Sequence, residues 1–132
     1  MSSTSTGAPT QRLRVLPETF TVASHTEAEL PAVVAESGWR VLVRAPDGLT
    51  VIRVAGPDDP GTGWRALYGD VQHGLDVPGM LAAVVGPLAG AGIPVFVAST
   101  FAADLVLVPV DRIPAALAAL RAAGHEVRMP PA

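Results

Sequence analysis

The residues of this sequence best suited to chemistry are Ser99, Thr100 and Asp104, which form a short polar elbow between two apolar runs. Asp104 is the only charged residue between Asp76 and Asp111. A carboxylate in such a position either receives an ammonium group or caps its own turn by accepting the backbone N–H groups of residues 101–103. The sequence leaves both roles open for Asp104.

A second set of candidate residues lies in the loop that starts at Asp76 and leads into a predicted helix. Unpaired backbone N–H groups and the positive end of the dipole face whatever lies at a helix start, ideally a carboxylate, and Gly79 allows close approach. The two sets together predict a site for a small zwitterion. Its predicted ligand-binding residues are Asp76, Val77, Gly79, Met80, Ser99, Thr100, Phe101 and Asp104.

The second half of the chain has the clearer secondary-structure pattern. Apolar runs rich in Val and Ile predict strands at 93–98 and 105–110, and further strands are predicted at 64–71 and 125–129. Helical spacing predicts one helix from Pro78 to about Gly90 and another between Asp111 and Gly124. The predicted order is therefore strand, helix, strand, strand, helix, strand.

The first half reads as a shortened copy of that order. Strands are predicted at 12–16 and 20–24 on either side of Pro17, followed by a short helix or turn and a hairpin of strands 39–45 and 49–54. The turn-rich segment Gly56 to Gly63 is predicted to join the halves. We expect a disordered tail at 1–11, one subdomain at 12–62 and a second at 63–132.

This pattern predicts an α/β (α+β) fold of two tandem ferredoxin-like units with helices on one face of antiparallel sheets. The other sheet face, assigned to residues such as Phe96 and Val106, is also apolar. We expect that face to be buried against the first half or against another protomer, because a monomer rarely exposes so large an apolar patch.

The elbow and the loop also carry a resemblance to a known family. The motif residues Ser99, Thr100, Asp104 and Leu107-Val108, together with 63–67 and 79–81, resemble the small bacterial tandem ACT-domain proteins related to the CASTOR amino-acid sensors. The chain departs from that pattern at 101–103, where the family often has Tyr-Asp-Thr, and at Pro78, where it usually has Thr. The resemblance implies an amino-acid site in the first strand-to-helix loop and the adjoining strands, across an interface with a second ACT unit.

Composition excludes several other classes of protein. The net charge of −3 gives no reason to expect nucleic acid or anionic membrane as a partner. The absence of cysteine excludes disulfides, thiolate catalysis and cysteine-based metal sites. The nine basic residues are all arginine, which suits an anionic ligand but is explained more simply by codon bias. We expect a cytoplasmic protein without a cofactor or metal.

Two further alternatives need weighing. Residues 77–103 carry no charge and are long enough to cross a bilayer, but the glycines and prolines within them and the change of period favour a helix followed by a strand. A Ser99, His73 and Asp104 triad exists on paper, yet nothing resembling a nucleophile elbow surrounds Ser99. His25, His73 and His125 have no metal-ligand spacing, and Gly90-Ala91-Gly92 ends a helix rather than opening a phosphate loop.

Three classes of function follow. A sensor module that binds an amino acid, acting through an unknown regulated partner or alone and possible as a homodimer, fits the candidate site. A ligand-free interaction module of the same fold fits the Ala-rich elbow and Pro78. An enzyme comes third, because the sequence offers no paired acid and base, metal cluster or activated nucleophile.

Overall fold

A computed structural model describes residues 9–57, 59, 63–70 and 78–131. It is a mixed α+β fold in which two short 3-10 helices, Glu27–Glu29 and Val110–Arg112, lead directly into α1 and α3. The helices are α1 (Leu30–Ala35), α2 (Met80–Gly90) and α3 (Ile113–Ala122). The strands are β1 (Arg12–His25), β2 (Arg40–Ala45), β3 (Gly48–Val54), β4 (Trp64–Gly69), β5 (Phe96–Ser99), β6 (Asp104–Pro109) and β7 (Glu126–Arg128).

The longest strand, β1, replaces the two short strands that the sequence predicts around Pro17. Its pairing with β4 shifts register between Val15 and Thr19. Pro17 lacks a backbone N–H, so it interrupts the ladder without ending the strand, and the chain absorbs it as a bulge. The prediction of two strands was therefore wrong in this segment, although their approximate bounds lie within β1.

All seven strands form one sheet, in the order β2-β3-β1-β4-β6-β5, with β7 paired to β1. The second half has the predicted order of elements, but β7 runs parallel to residues 12–14 of β1 instead of pairing with β4. Because β1 also pairs with β3, one strand serves both halves of the chain. The tandem arrangement of two separate units is not confirmed, and the two subdomains at 12–62 and 63–132 stay a prediction.

The helices lie on one face of the sheet, as predicted. Under α2 and α3, twelve buried residues form one cluster, to which β6 contributes Val106 and Val108. Under α1, a smaller cluster joins Val33 to Leu49 and Val51 of β3. Burial of these side chains holds each helix on the sheet, because apolar area removed from water is the main favourable contribution to folding.

The helix-free face carries a separate apolar cluster built from both halves. Leu105 and Leu107 of β6 are fully buried there with Phe20 of β1, and Trp39 packs edge-on against Phe20 at 6.4 Å between ring centroids. The first half thus covers this face, in agreement with one of the two expectations for it.

One residue of that expectation was assigned to the wrong face. Phe96 pairs with Leu107 and Val97 with Val106, so alternation along the strands places Phe96 and Val106 on opposite sides. Val106 lies under α2 and α3, whereas Phe96 is 38% exposed on the helix-free face beside Trp64.

His125, immediately before β7, connects three parts of the chain. Its Nδ1 accepts the backbone N–H of Gln11 at 3.0 Å, so Nε2 carries the proton and donates to the carbonyl of Ala83 at 2.7 Å. The Gln11 side chain in turn donates to the carbonyl of Met80. Residues 9–11, predicted as the end of a disordered tail, are therefore packed against α2, while residues 1–8 lie outside the described part of the chain.

The apolar stretch 77–103 does not form a membrane-spanning helix. Among the described residues, no helix has both the length and the apolar character that crossing a bilayer requires.

Candidate functional site

The polar elbow is a tight β-hairpin that joins β5 to β6. Ser99 and Asp104 are opposite each other in the last pair of the ladder, and the Ser99 hydroxyl donates to Asp104 Oδ1 at 2.6 Å. In the described residues, this is the only hydrogen bond that the Asp104 side chain makes. Asp104 is half-buried, and its second carboxylate oxygen, Oδ2, makes no hydrogen bond to any other described residue.

Thr100, rather than Asp104, organises the turn. Its Oγ1 accepts the backbone N–H groups of Ala102 and Ala103, and its backbone N–H donates to the carbonyl of Ala103 at 2.8 Å. Thr100 therefore caps the turn, which is one of the two roles that the sequence left open for Asp104. The capping interpretation of Asp104 was wrong in this respect.

Tyr68 of β4 anchors the elbow to the helix-free face. Its hydroxyl lies 2.6 Å from Thr100 Oγ1, and its ring packs edge-on against Trp39 with centroids 5.2 Å apart. The guanidinium of Arg14 lies 5.8 Å from the same ring. The elbow is thus held by a side chain that also contacts the first half of the chain.

Phe101 at the tip of the elbow is 75% exposed, although a large apolar side chain is usually buried. Ala103, two residues later, is buried. The elbow therefore presents an exposed aromatic ring and a half-buried carboxylate on a rigid turn.

The other part of the predicted site is the start of α2. Gly79 is the residue that precedes the helix, and its φ of 83° is a left-handed conformation that favours glycine. No side chain caps the helix there, so the first N–H groups of α2 lack side-chain partners among the described residues. Pro78, predicted within the first turn, lies before the helix.

The N-terminal segment lies against this helix start. A Cβ built on Gly79 would lie 3.8 Å from Cδ of Pro9, and Gln11 holds the carbonyl of Met80. Asp76 and Val77, the first two residues predicted for the site, lie outside the described residues.

The two parts of the site lie at the same end of the sheet. Gln11, which donates to the carbonyl of Met80, directly precedes β1, and Leu13 of β1 pairs with Gly69 at the end of β4. Tyr68, next to Gly69, pairs with Leu105, next to Asp104. Within residues 63–70 and 78–131, no hydrogen bond or ion pair connects Gly79 or Met80 with residues 99–104. Their joint binding of one ligand stays a prediction.

The described residues do not assemble catalytic or metal-binding groups around the elbow. The Ser99 hydroxyl is hydrogen-bonded directly to Asp104. His73, the third residue of the catalytic triad considered from the sequence, lies outside the described part of the chain. No group of three or more His, Asp or Glu side chains within the described ranges is arranged to hold a metal ion.

Shifted ionisation occurs far from the elbow, in the first half. The backbone N–H of Thr26 and then its hydroxyl lower the pKa of Glu29, as expected for a carboxylate in a capping box. Hydrogen bonds to Glu27 raise the pKa of Arg44. Both side chains are on the surface and support the start of α1 rather than a reaction.

Sequence reasoning missed Tyr68, Gln11 and His125, which position the elbow and α2. For Tyr68, the sequence does not show which strands pair or in which register. Tyr68 contacts Thr100 because β4 pairs with β6. For His125, a signal was present in the sequence, because it lies between the end of a predicted helix and a predicted strand. There both ring nitrogens form hydrogen bonds with backbone groups.

Comparison with known protein families finds an ACT domain at residues 60–122. The match runs from the segment before β4 to the end of α3 and so includes the elbow and the start of α2. An ACT domain is a regulatory, small-ligand-binding domain rather than a catalytic one, and no enzymatic family is indicated.

Two solved structures have the same fold over most of the chain. The crystal structure of protein Atu0741 from Agobacterium tumefaciens is 27% identical, with 95% of this chain and 97% of that chain covered and a TM-score of 0.80. The crystal structure of VC0802 from Vibrio cholerae, described as a protein of unknown function and possible transport protein, is 21% identical. The match covers 82% of this chain and 85% of the VC0802 chain, with a TM-score of 0.67. No curated protein matched the chain.

Proposed function

We propose that this protein is a regulatory module that binds a free amino acid through its ACT domain. The observation that carries the proposal is that the elbow and the start of α2, which no described side chain caps, both lie within residues 60–122. The module acts on a partner protein or serves as a free-standing sensor, and it works in the cytoplasm, with a homodimer as its possible assembly.

The chemistry of the two parts suits a zwitterion. Asp104 offers a carboxylate oxygen to an ammonium group, and such charge-assisted hydrogen bonds are about twice as strong as neutral ones. The start of α2 offers N–H groups that no described side chain caps and a positive dipole to the carboxylate, while Gly79 has no side chain to obstruct its approach. Phe101, exposed on the same turn, is placed to cover an apolar side chain of the ligand.

A thermal-shift screen of the twenty amino acids tests this proposal. A ligand at 100 times its Kd stabilises the folded state by about 2.7 kcal/mol, which raises the Tm of a domain of this size by several degrees. We expect one or a few related amino acids to give such a shift. Asp104→Ala is expected to abolish it, because the ammonium group then loses its carboxylate partner.

Asp47→Ala is the matched control, since Asp47 occupies the turn of the other hairpin, between β2 and β3, and is exposed. It should keep the full shift. A ligand-induced shift that survives Asp104→Ala would place the ligand elsewhere. A screen without any shift would contradict amino-acid binding.

The second candidate is a ligand-free ACT-like interaction module, and the N-terminal segment favours it. Pro9 lies where a ligand would approach Gly79, and the apolar side chains of Phe96 and Phe101 are exposed near the elbow. Failure of the amino-acid screen, together with a concentration-dependent mass above that of the monomer, would support this reading.

A further inference from the structure

A gap in the sheet lies along one side of β1. On that side β7 pairs with residues 12–14 and β3 pairs with residues 20–25, so the backbone between Val15 and Thr19 has no strand partner there. Beyond Met129, Pro130 and Pro131 lack backbone N–H groups and so cannot donate to a continued ladder.

This gap is a pocket of about 460 Å³. Its size falls within the range of about 300–1,000 Å³ that is usual for small-molecule sites. One wall is formed by β1 and the other by the C-terminal segment after β7. The lining residues are Arg14, Val15, Leu16, Pro17, Arg128, Met129, Pro130 and Pro131.

The charged residues that line the pocket are both arginines, Arg14 and Arg128, which are directly opposite each other on β1 and β7. Their side chains are 48% and 56% exposed, so both guanidinium groups are reachable from solvent. Asp70 pairs with both: it lies 3.8 Å from Arg14 Nε, and its Oδ2 accepts from Arg128. Among the described residues, Asp70 is the one carboxylate that pairs with these two guanidinium groups.

We propose that this pocket binds a small organic anion with an apolar body, such as the carboxylate of a short aliphatic acid. Arg14 and Arg128 take the carboxylate, because a guanidinium matches its geometry with two parallel N–H groups. Pro17, Met129 and the proline pair surround the hydrocarbon part and remove it from water. The pocket shares no lining residue with the elbow, although Arg14 lies beside the Tyr68 ring whose hydroxyl contacts Thr100. Its ligand is distinct from the amino acid proposed for the elbow.

The charge and the apolar walls of the pocket favour an aliphatic anion over other small ligands. A cation would meet two guanidinium groups with only the already paired Asp70 to receive it. A neutral molecule of the same shape would gain no charge-assisted hydrogen bond from the guanidinium groups, and an inorganic anion would leave the apolar walls unfilled. An aliphatic carboxylate satisfies both features of the pocket at once.

Titration of the ¹⁵N-labelled full chain with hexanoate tests the proposal. We expect saturable amide shifts at residues 14–16 and 128–129, with a Kd of about millimolar or tighter. Hexanamide and hexylamine, which keep the apolar body and change the charge, should not shift these amides. Inorganic phosphate should shift them far less than hexanoate does.

Variants of the two arginines separate specific binding from a general effect of charge. The double variant Arg14→Gln with Arg128→Gln should raise the Kd for hexanoate about tenfold or more, because charged hydrogen bonds are lost. Arg112→Gln is the matched control, since Arg112 is a partly exposed arginine that does not line the pocket, and it should leave the Kd unchanged. Asp104→Ala should also leave it unchanged.

Asp70→Asn gives a test of opposite sign. Removal of the competing carboxylate frees both guanidinium groups, so the Kd for hexanoate should fall by about two- to fivefold, the factor that an exposed ion pair is worth. Weaker binding to this variant would overturn the proposal. The proposal would also be overturned by amide shifts outside the pocket, by equal shifts with phosphate, or by a Kd that is unchanged in the double arginine variant.

Discussion

A chain that carries Leu107→Asp is expected to be unfolded under conditions in which the parent protein is folded. Leu107 is fully buried on the helix-free face, in the cluster that joins both halves of the chain. Burial of an unpaired carboxylate there costs several kcal/mol, a large part of the roughly 5–15 kcal/mol that stabilises a domain. Circular dichroism and a thermal melt measure the result.

The neighbouring variant Val106→Asp should have the same effect, although Val106 faces α2 and α3 on the opposite side of β6. Val43→Asp on β2 is the control, because Val43 is 55% exposed and a charge there stays in water. If the Leu107 variant melted like the parent, the helix-free face would be open rather than covered by the first half.

Phe20→Ala is expected to lower the free energy of unfolding by about 3–5 kcal/mol, the usual cost of removing a buried aromatic ring. Phe20 is 0% exposed and contacts the ring of Trp39, which in turn contacts Tyr68. The cavity left by its ring lies between the two halves, where the surrounding strands are held by their ladders and collapse only partly. Urea denaturation of both proteins gives the difference.

Phe101→Ala makes the same substitution at a ring that is 75% exposed, and it should change stability by less than about 0.5 kcal/mol. A comparable loss at both positions would mean that Phe20 contributes no more than an exposed ring. That result would contradict the shared core of the two halves.

The elements of the second half were predictable because their periodicity is strong. The continuous apolar run of β6 and the helical spacing of α2 and α3 gave their type and approximate bounds. The hairpin of β2 and β3 was predictable for a similar reason, since Pro46-Asp47-Gly48 is a turn signal with a known conformation.

Strand pairing over long separations was not predictable in the same way. Nothing local in Glu126–Arg128 indicates that it joins β1 across more than one hundred residues rather than β4. The placement of β1 between β4 and β7 depends on the whole sheet, and so does the pocket beside Pro17. The error over Val106 could have been avoided from local pairing alone. Phe96 and Val97 are adjacent in one strand and lie on opposite faces of the sheet, and Val106 is the partner of Val97.

The candidate site was predictable in its location but not in its internal bonds. The break between two apolar runs located the elbow, and the hairpin is there. The division of roles between Thr100 and Asp104 depends on which hydroxyl or carboxylate reaches the turn N–H groups, a matter of a few tenths of an ångström that residue types do not determine.

Amide chemical-shift mapping with the amino acid that most stabilises the chain tests the central claim most directly. Amino-acid binding through the ACT domain predicts saturable shifts at Gly79 and Met80 together with residues 99–104, and their loss in Asp104→Ala. Shifts confined to one of the two segments would contradict a shared site. The absence of saturable shifts in both segments with every amino acid would contradict the proposed function.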